Sequence, residues 1–147
     1  MRNQPQIESC INNIHRIATT LVPDKEWYML HIEGCIVGSI TEIKSWFTLL
    51  GSENKTSFDS FDLAYVNDDV DNNQIGGFVE KLREATYEPT MGAWYTVSVD
   101  FYKFGSPPVV HYNYYDMPAF SQSIPVKFFQ KDLKVYPRSA ALPDWMT

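Results

Sequence analysis

Cysteine is scarce in this chain. The two present, Cys10 and Cys35, form no CxxC pair and belong to no Cys/His cluster, which argues against a disulfide-built scaffold and the common zinc motifs. Two buried free thiols are expected. Long apolar runs are also missing. No stretch approaches the roughly 18 residues of a bilayer span, and no N-terminal segment joins a basic region to an unbroken apolar core. The expectation is a cytoplasmic chain that touches no membrane. Basic residues are outnumbered, 12 Lys+Arg against 18 Asp+Glu for a net charge of -6. A nucleic-acid binder neutralises phosphates with a basic footprint, so that class is disfavoured. Acidity instead favours solubility and attraction to basic partners. Finally, GxxxxGK[ST], GxGxxG between strand and helix, HExxH and GxSxG are all absent. The reading therefore assigns no catalytic residue, no cofactor and no metal, and expects no enzyme.

What is present suits a folded domain. A hydrophobic fraction of 44% with 20% charged residues is globular rather than disordered composition. A length of 147 residues fits one domain over 1–147. Aromatics are abundant, and four tryptophans serve either a core or an interface.

Periodicity supplies the elements. Ile7, Ile11, Ile14, Ala18 and Leu21 recur at three and four, predicting a helix over Gln6 to Leu21 that Pro23 stops. From Trp27 to Ile32 the period becomes two, with Gly34 and Gly38 bracketing a possible break. Ile40 to Leu50 reads as a second strand. Gly51 to Asn73 holds six acids and one base, Lys55. Phe58, Phe61, Leu63, Tyr65 and Val66 offer one short strand there, and Asn67 onward reads as an exposed loop. Gly76-Gly77 precede a helix over Phe78 to Tyr87, with Phe78, Leu82 and Ala85 or Thr86 on one face. Trp94 to Phe104 alternates most clearly, with Tyr95, Val97, Val99 and Phe101 on one side. Gly105-Ser106-Pro107 turns it into Val109 to Tyr115, a hairpin. A last helix over Ile124 to Val135, with Phe128, Leu133 and Val135 as its apolar side, ends before Pro137. The order predicts an α+β fold: an antiparallel sheet of four to five strands with three helices, mainly on one face.

Candidate chemistry is thin. His15, His31 and His111 fall in different elements and have no spacing that makes them converge on a metal. Lys127, Lys131 and Lys134 describe the solvated side of the last helix, and Asp132 and Asp144 beside them read as part of that surface rather than as an acid/base group. Cys10 with a histidine lacks any feature that would lower the thiol pKa. Two surfaces carry functional content. The acidic loop, through Asp68, Asp69 and Asp71, is either a solvated face or a protrusion that enters a basic cleft on a partner. Phe58, Phe61 and Tyr65 either anchor that edge or belong to the core. The second surface is Tyr112-Asn113-Tyr114-Tyr115-Asp116. Alternation puts Tyr112 and Tyr114 together and Tyr115 opposite, so one side packs inward and the other presents tyrosine.

The segment Gly92-Ala93-Trp94-Tyr95-Thr96-Val97-Ser98-Val99, continuing through Gly105 to Tyr112-Asn113-Tyr114-Tyr115-Asp116, resembles the YezG-like immunity proteins of bacterial polymorphic-toxin systems. The tail, Asp132-Leu133-Lys134-Val135-Tyr136-Pro137-Arg138 followed by Pro143-Asp144-Trp145-Met146, is similar to a related group that includes the immunity factor for the mycobacterial necrotizing toxin, an NAD-hydrolysing enzyme. The resemblance covers the C-terminal third of the chain. It implies a small cytoplasmic protein that binds one cognate toxin domain, one-to-one, and blocks its active site. An NAD-hydrolysing toxin is the first expectation and a nuclease, whose basic cleft suits an acidic inhibitor, the second. Two readings come from other classes: an enzyme with a discontinuous site, which a deep pocket with convergent titratable groups would favour, and a non-catalytic adaptor or small-ligand-binding domain. Residues expected at the toxin contact are Asp68, Asp69 and Asp71 for electrostatic capture, with Tyr114 and Tyr115 as aromatic contacts.

Overall fold

A computed structural model describes residues 3–59 and 74–146. Helix α1 (Gln4–Leu21) starts two residues earlier than periodicity alone indicates, because Asn3 caps it: its Oδ1 accepts the Gln6 N–H at 3.2 Å. Ile7, Cys10, Ile14, Ile17 and Ala18 form its buried stripe. Strands β1 (Trp27–Val37) and β2 (Ile40–Leu49) follow as a hairpin. Their two-residue turn has Gly38 at φ 57°, a conformation that costs glycine little. The break expected at Gly34 does not occur. β1 runs straight through it, and a Cβ there would sit 3.0 Å from Val79 Cγ1, so this glycine lets a helix lie close against the strand.

A two-residue strand β3 (Thr56–Ser57) pairs with Trp46 and Phe47; apart from Phe58, the residues of the short strand expected among Phe58 to Val66 lie outside the described residues. Helix α2 (Ile75–Thr86) takes in both Gly76 and Gly77, which were expected to precede it. Burial of Ile75, Phe78, Val79 and Leu82 outweighs the ~1 kcal/mol that each glycine costs a helix. The hairpin β4 (Thr96–Tyr102) and β5 (Val109–Asn113) forms as the alternation indicates, and helix α3 (Val126–Val135) closes the order before a 3-10 turn, Asp144–Met146.

The five strands make one antiparallel sheet in the order β3-β2-β1-β4-β5. Leu30, Ile32, Phe47, Val97, Val99 and Phe101 share one face, which α1 and α2 cover to form the main core. Each such side chain, fully buried, contributes about 1.5–3 kcal/mol. Trp94 lies wholly inside, its ring N–H donated to Thr86 Oγ1 at 2.7 Å. Helix α3 instead covers the end of the sheet at the β1–β2 turn, where Val37, Tyr95, Phe129 and Met146 form a second cluster.

The two clusters meet at an ion pair absent from the sequence reading. Asp132, expected on the solvated side of the last helix, is buried. Its carboxylate takes both Arg83 Nη atoms at 2.6 and 2.7 Å and the Gly38 N–H at 2.8 Å, while Arg83 Nε donates to Trp94 O at 2.7 Å. Side-chain exposure is 2% for both partners. The lysine spacing holds, since Lys127, Lys131 and Lys134 are exposed, but the inward face is Phe129 and Asp132. Val135, expected to be apolar packing, is 70% exposed.

Candidate protein-interaction surface

The chain after β5 is held by three side chains that satisfy its backbone. Asn113 Oδ1 accepts the N–H groups of Tyr115 at 3.0 Å and Asp116 at 2.9 Å, an Asx turn that ends the strand. Arg138 Nη1 donates to Tyr114 O at 2.9 Å, and Trp145 Nε1 donates to Tyr115 O at 2.6 Å. The C-terminal segment thereby fixes the tyrosine segment from below. Gly92, at φ 81°, is needed beside it, because a Cβ there would lie 2.7 Å from Arg138 Cβ.

The two candidate tyrosines separate. Tyr114 packs against the main core together with Tyr112, whose ring stacks on Trp94 at 5.6 Å. Tyr115 stays 47% exposed, with the Arg138 guanidinium 5.0 Å from its ring centre. Beside it, Met117 is 62% exposed and borders a groove of about 440 Å³ lined by Pro118, Phe120, Ile124, Val126 and Trp145 over Phe129. The floor is a set of edge-on rings: Phe129 and Trp145 at 5.0 Å, Tyr95 and Phe129 at 5.5 Å, Tyr95 and Trp145 at 5.8 Å. Burial pushes the Tyr95 phenol above its ordinary pKa, and the nearby Asp132 carboxylate adds to the shift. An exposed ring on a stiff backbone, next to an apolar depression, can anchor a protein partner at small entropic cost.

A second constellation lies on the sheet face turned away from α1 and α2. His31 Nδ1 meets Asp100 Oδ1 at 2.6 Å, and the His31 ring stacks on Trp46 at 4.5 Å and 10°. Lys55 Nζ sits 4.5 Å from the centre of the same indole. Register brings these residues into one row across β2, β1 and β4. The sequence holds no signal for the pairing of His31 with Asp100 across 69 positions. Nearer the β1–β2 turn the segment after Asp116 crosses this face. There Ser121 N and Oγ donate to the Glu42 carboxylate, and Lys44 Nζ donates to Ala119 O. Cys35 is buried in this region; Cys10 is buried in the main core, and both are free thiols. Burial raises both thiol pKa values.

The three histidines are dispersed over α1, β1 and β5. Among the described residues no group of three or more His, Cys, Asp or Glu side chains is placed to hold a metal ion, and no helix is long and apolar enough to cross a membrane. Asp68, Asp69 and Asp71, with Phe61 and Tyr65, lie outside the described residues. No family model matches this chain, and no curated protein matches it.

Proposed function

We propose that this chain is an immunity protein that binds one cognate bacterial toxin domain, one-to-one in the cytoplasm, and neutralises it by occluding its active site. The observation that carries the binding role is the Tyr115–Met117 ridge. It is exposed, its backbone is tied down by Asn113, Arg138 and Trp145, and it adjoins an apolar groove. Such a ridge supplies the aromatic anchor typical of energetic centres in protein interfaces. The acids Asp68, Asp69 and Asp71 steer the encounter with a basic cleft. The toxin identity rests on the sequence resemblance alone, with NAD hydrolysis ahead of nuclease activity.

The test is co-purification with the product of the adjacent upstream gene, followed by rescue of bacterial growth from that product's toxicity. A tight equimolar complex that restores growth is the expected outcome. Neither complex nor rescue defeats the reading. The groove also favours a small-ligand-binding reading, since its volume of about 440 Å³ falls within the range of small-molecule sites. A ligand that copurifies with the chain and is displaced by Phe120→Arg would identify that role instead.

A further inference from the structure

Helix α3 wears its charge against the sign of the chain. Lys127, Lys131 and Lys134 recur at four and three, so they line one side of the helix over about 10 Å. All three are exposed, and among the described residues none forms an ion pair; Lys127 Nζ lies 5.6 Å from the centre of the Phe128 ring. A lysine row that only solvates a helix is commonly interleaved with acids one turn away. The single acid of α3 is Asp132, and it is turned inward onto Arg83. The helix itself does not favour the arrangement either. Its first turn holds no acid, Lys127 stands at the positive end of the macrodipole, and Lys131 repeats the same sign one turn on. Local preference yields to three cations here, a departure expected where a surface serves recognition. The asymmetry reaches beyond the helix. Residues 117–147 hold four basic and two acidic side chains, a net +2, in a chain whose net charge is -6.

The row begins at the wall of the apolar groove. Val126 and Phe129 are the α3 side of that groove, and Val126, 41% exposed, directly precedes Lys127. Met117, Phe120, Ile124 and Trp145 complete an apolar lining around about 440 Å³. A partner element that fills this space and runs on along α3 passes from apolar surface to positive charge.

We propose that the groove and the lysine row form one docking site for an acidic amphipathic segment of a partner protein. An apolar side chain of the segment enters the groove, and its aspartate or glutamate side chains pair with Lys127, Lys131 and Lys134. The groove anchors the segment, and charge complementarity selects it. The docking site rests on the binding role proposed above for the ridge and groove, and fixes the sign of charge the partner brings there; it does not require the partner to be a toxin.

The test presents the full 147-residue chain, isotopically labelled, with a displayed library of random linear peptides. Selected peptides carry apolar anchors flanked by aspartate or glutamate, shift the amide signals of Met117, Val126, Lys127 and Lys131, and bind more weakly as salt rises. Lys127→Glu combined with Lys131→Glu weakens them by about tenfold or more. The same two changes put an acid at the helix start and an opposite charge three residues before Lys134, so the melting temperature holds or rises and the loss is one of binding. Selected peptides that are neutral or basic, that map elsewhere, or that keep their affinity for the double variant would each overturn the proposal, as would a library that yields none. Growth rescue separates this site from the immunity role. An equimolar complex with the upstream gene product that restores growth, yet is indifferent to the lysine changes, defeats the docking site alone. Acidic peptides that bind as described, with neither complex nor rescue, support the docking site and defeat the immunity role.

Discussion

Adjacent tyrosines with the same chemistry have opposite fates here because the chain turns between them. Tyr114 belongs to the margin of the core, whereas Tyr115 is exposed under Arg138. Tyr115→Ala should therefore weaken the proposed toxin complex by about 2 kcal/mol, roughly 30-fold in Kd, without moving the melting temperature. Tyr114→Ala should show the reverse, lowering the melting temperature first. Calorimetric titration beside thermal melts separates the two, and equal affinity for both variants would remove Tyr115 from the contact. Arg83 and Asp132 give a second residue-scale prediction. Asp132→Ala leaves a guanidinium buried without its anion and should cost about 3–5 kcal/mol in urea unfolding. The double change Arg83→Met with Asp132→Leu should recover most of that loss, because it removes the desolvated charge along with its partner. A single-variant loss under about 1 kcal/mol would contradict this account.

At the scale of elements, Gly92 is where a small change should travel. Alanine there adopts an unfavourable positive φ and meets Arg138 at 2.7 Å. Gly92→Ala should destabilise the chain by about 1–3 kcal/mol and loosen Tyr114 to Asp116 through Arg138, visible as faster amide exchange of those residues. Much of the element order was legible beforehand. The α1 stripe and the alternation of Tyr95, Val97, Val99 and Phe101 are local patterns, and local patterns survive into the fold. What was not legible depends on distant partners. Gly34 reads as a break until Val79 of α2 is known to lie over it, and Asp132 reads as solvated until Arg83, 49 positions away, is found facing it. The site divides the same way. Tyr114 and Tyr115 were separable by alternation, but the hold on Tyr115 comes from Arg138 and Trp145, which no spacing in the tyrosine segment reveals.

Across the whole molecule, burial shapes how stability depends on pH. The Cys10 and Cys35 thiols and the Tyr95 and Tyr136 phenols are pushed up by burial. Each is neutral in its protonated form. The stabilisation they carry is fully present below their unfolded values, about 8.5 for a thiol and 10 for a phenol, and is lost as pH rises through the higher folded values. His15 works at the other flank. Burial, with its ring stacked 4.8 Å from Phe101, pushes its pKa down. Its contribution is present above about pH 6.5 and is lost as pH falls through the folded value. Urea midpoints should be highest between about pH 6.5 and 8.5 and fall on both sides; a midpoint still rising above about pH 9 would contradict this. The net charge of -6 adds a kinetic expectation. Association with a basic toxin should slow steeply as salt rises from about 0.05 to 0.5 M, while dissociation changes little. Asp68→Lys with Asp69→Lys should flatten that slope.

The placement of the tryptophans gives this chain built-in optical reporters. Trp94 is sealed in the main core, Trp46 is stacked against an imidazole on the sheet face turned away from α1 and α2, and Trp145 forms a wall of the groove beside Tyr115. Their emission should therefore respond separately: Trp94 to global unfolding, Trp46 to rearrangement of the His31–Asp100 row, and Trp145 to a partner seated on the ridge. Replacing each of these three in turn with phenylalanine would separate their signals from one another and from that of the fourth tryptophan, Trp27, so that occupancy of the ridge can be followed by light emission without attaching a dye.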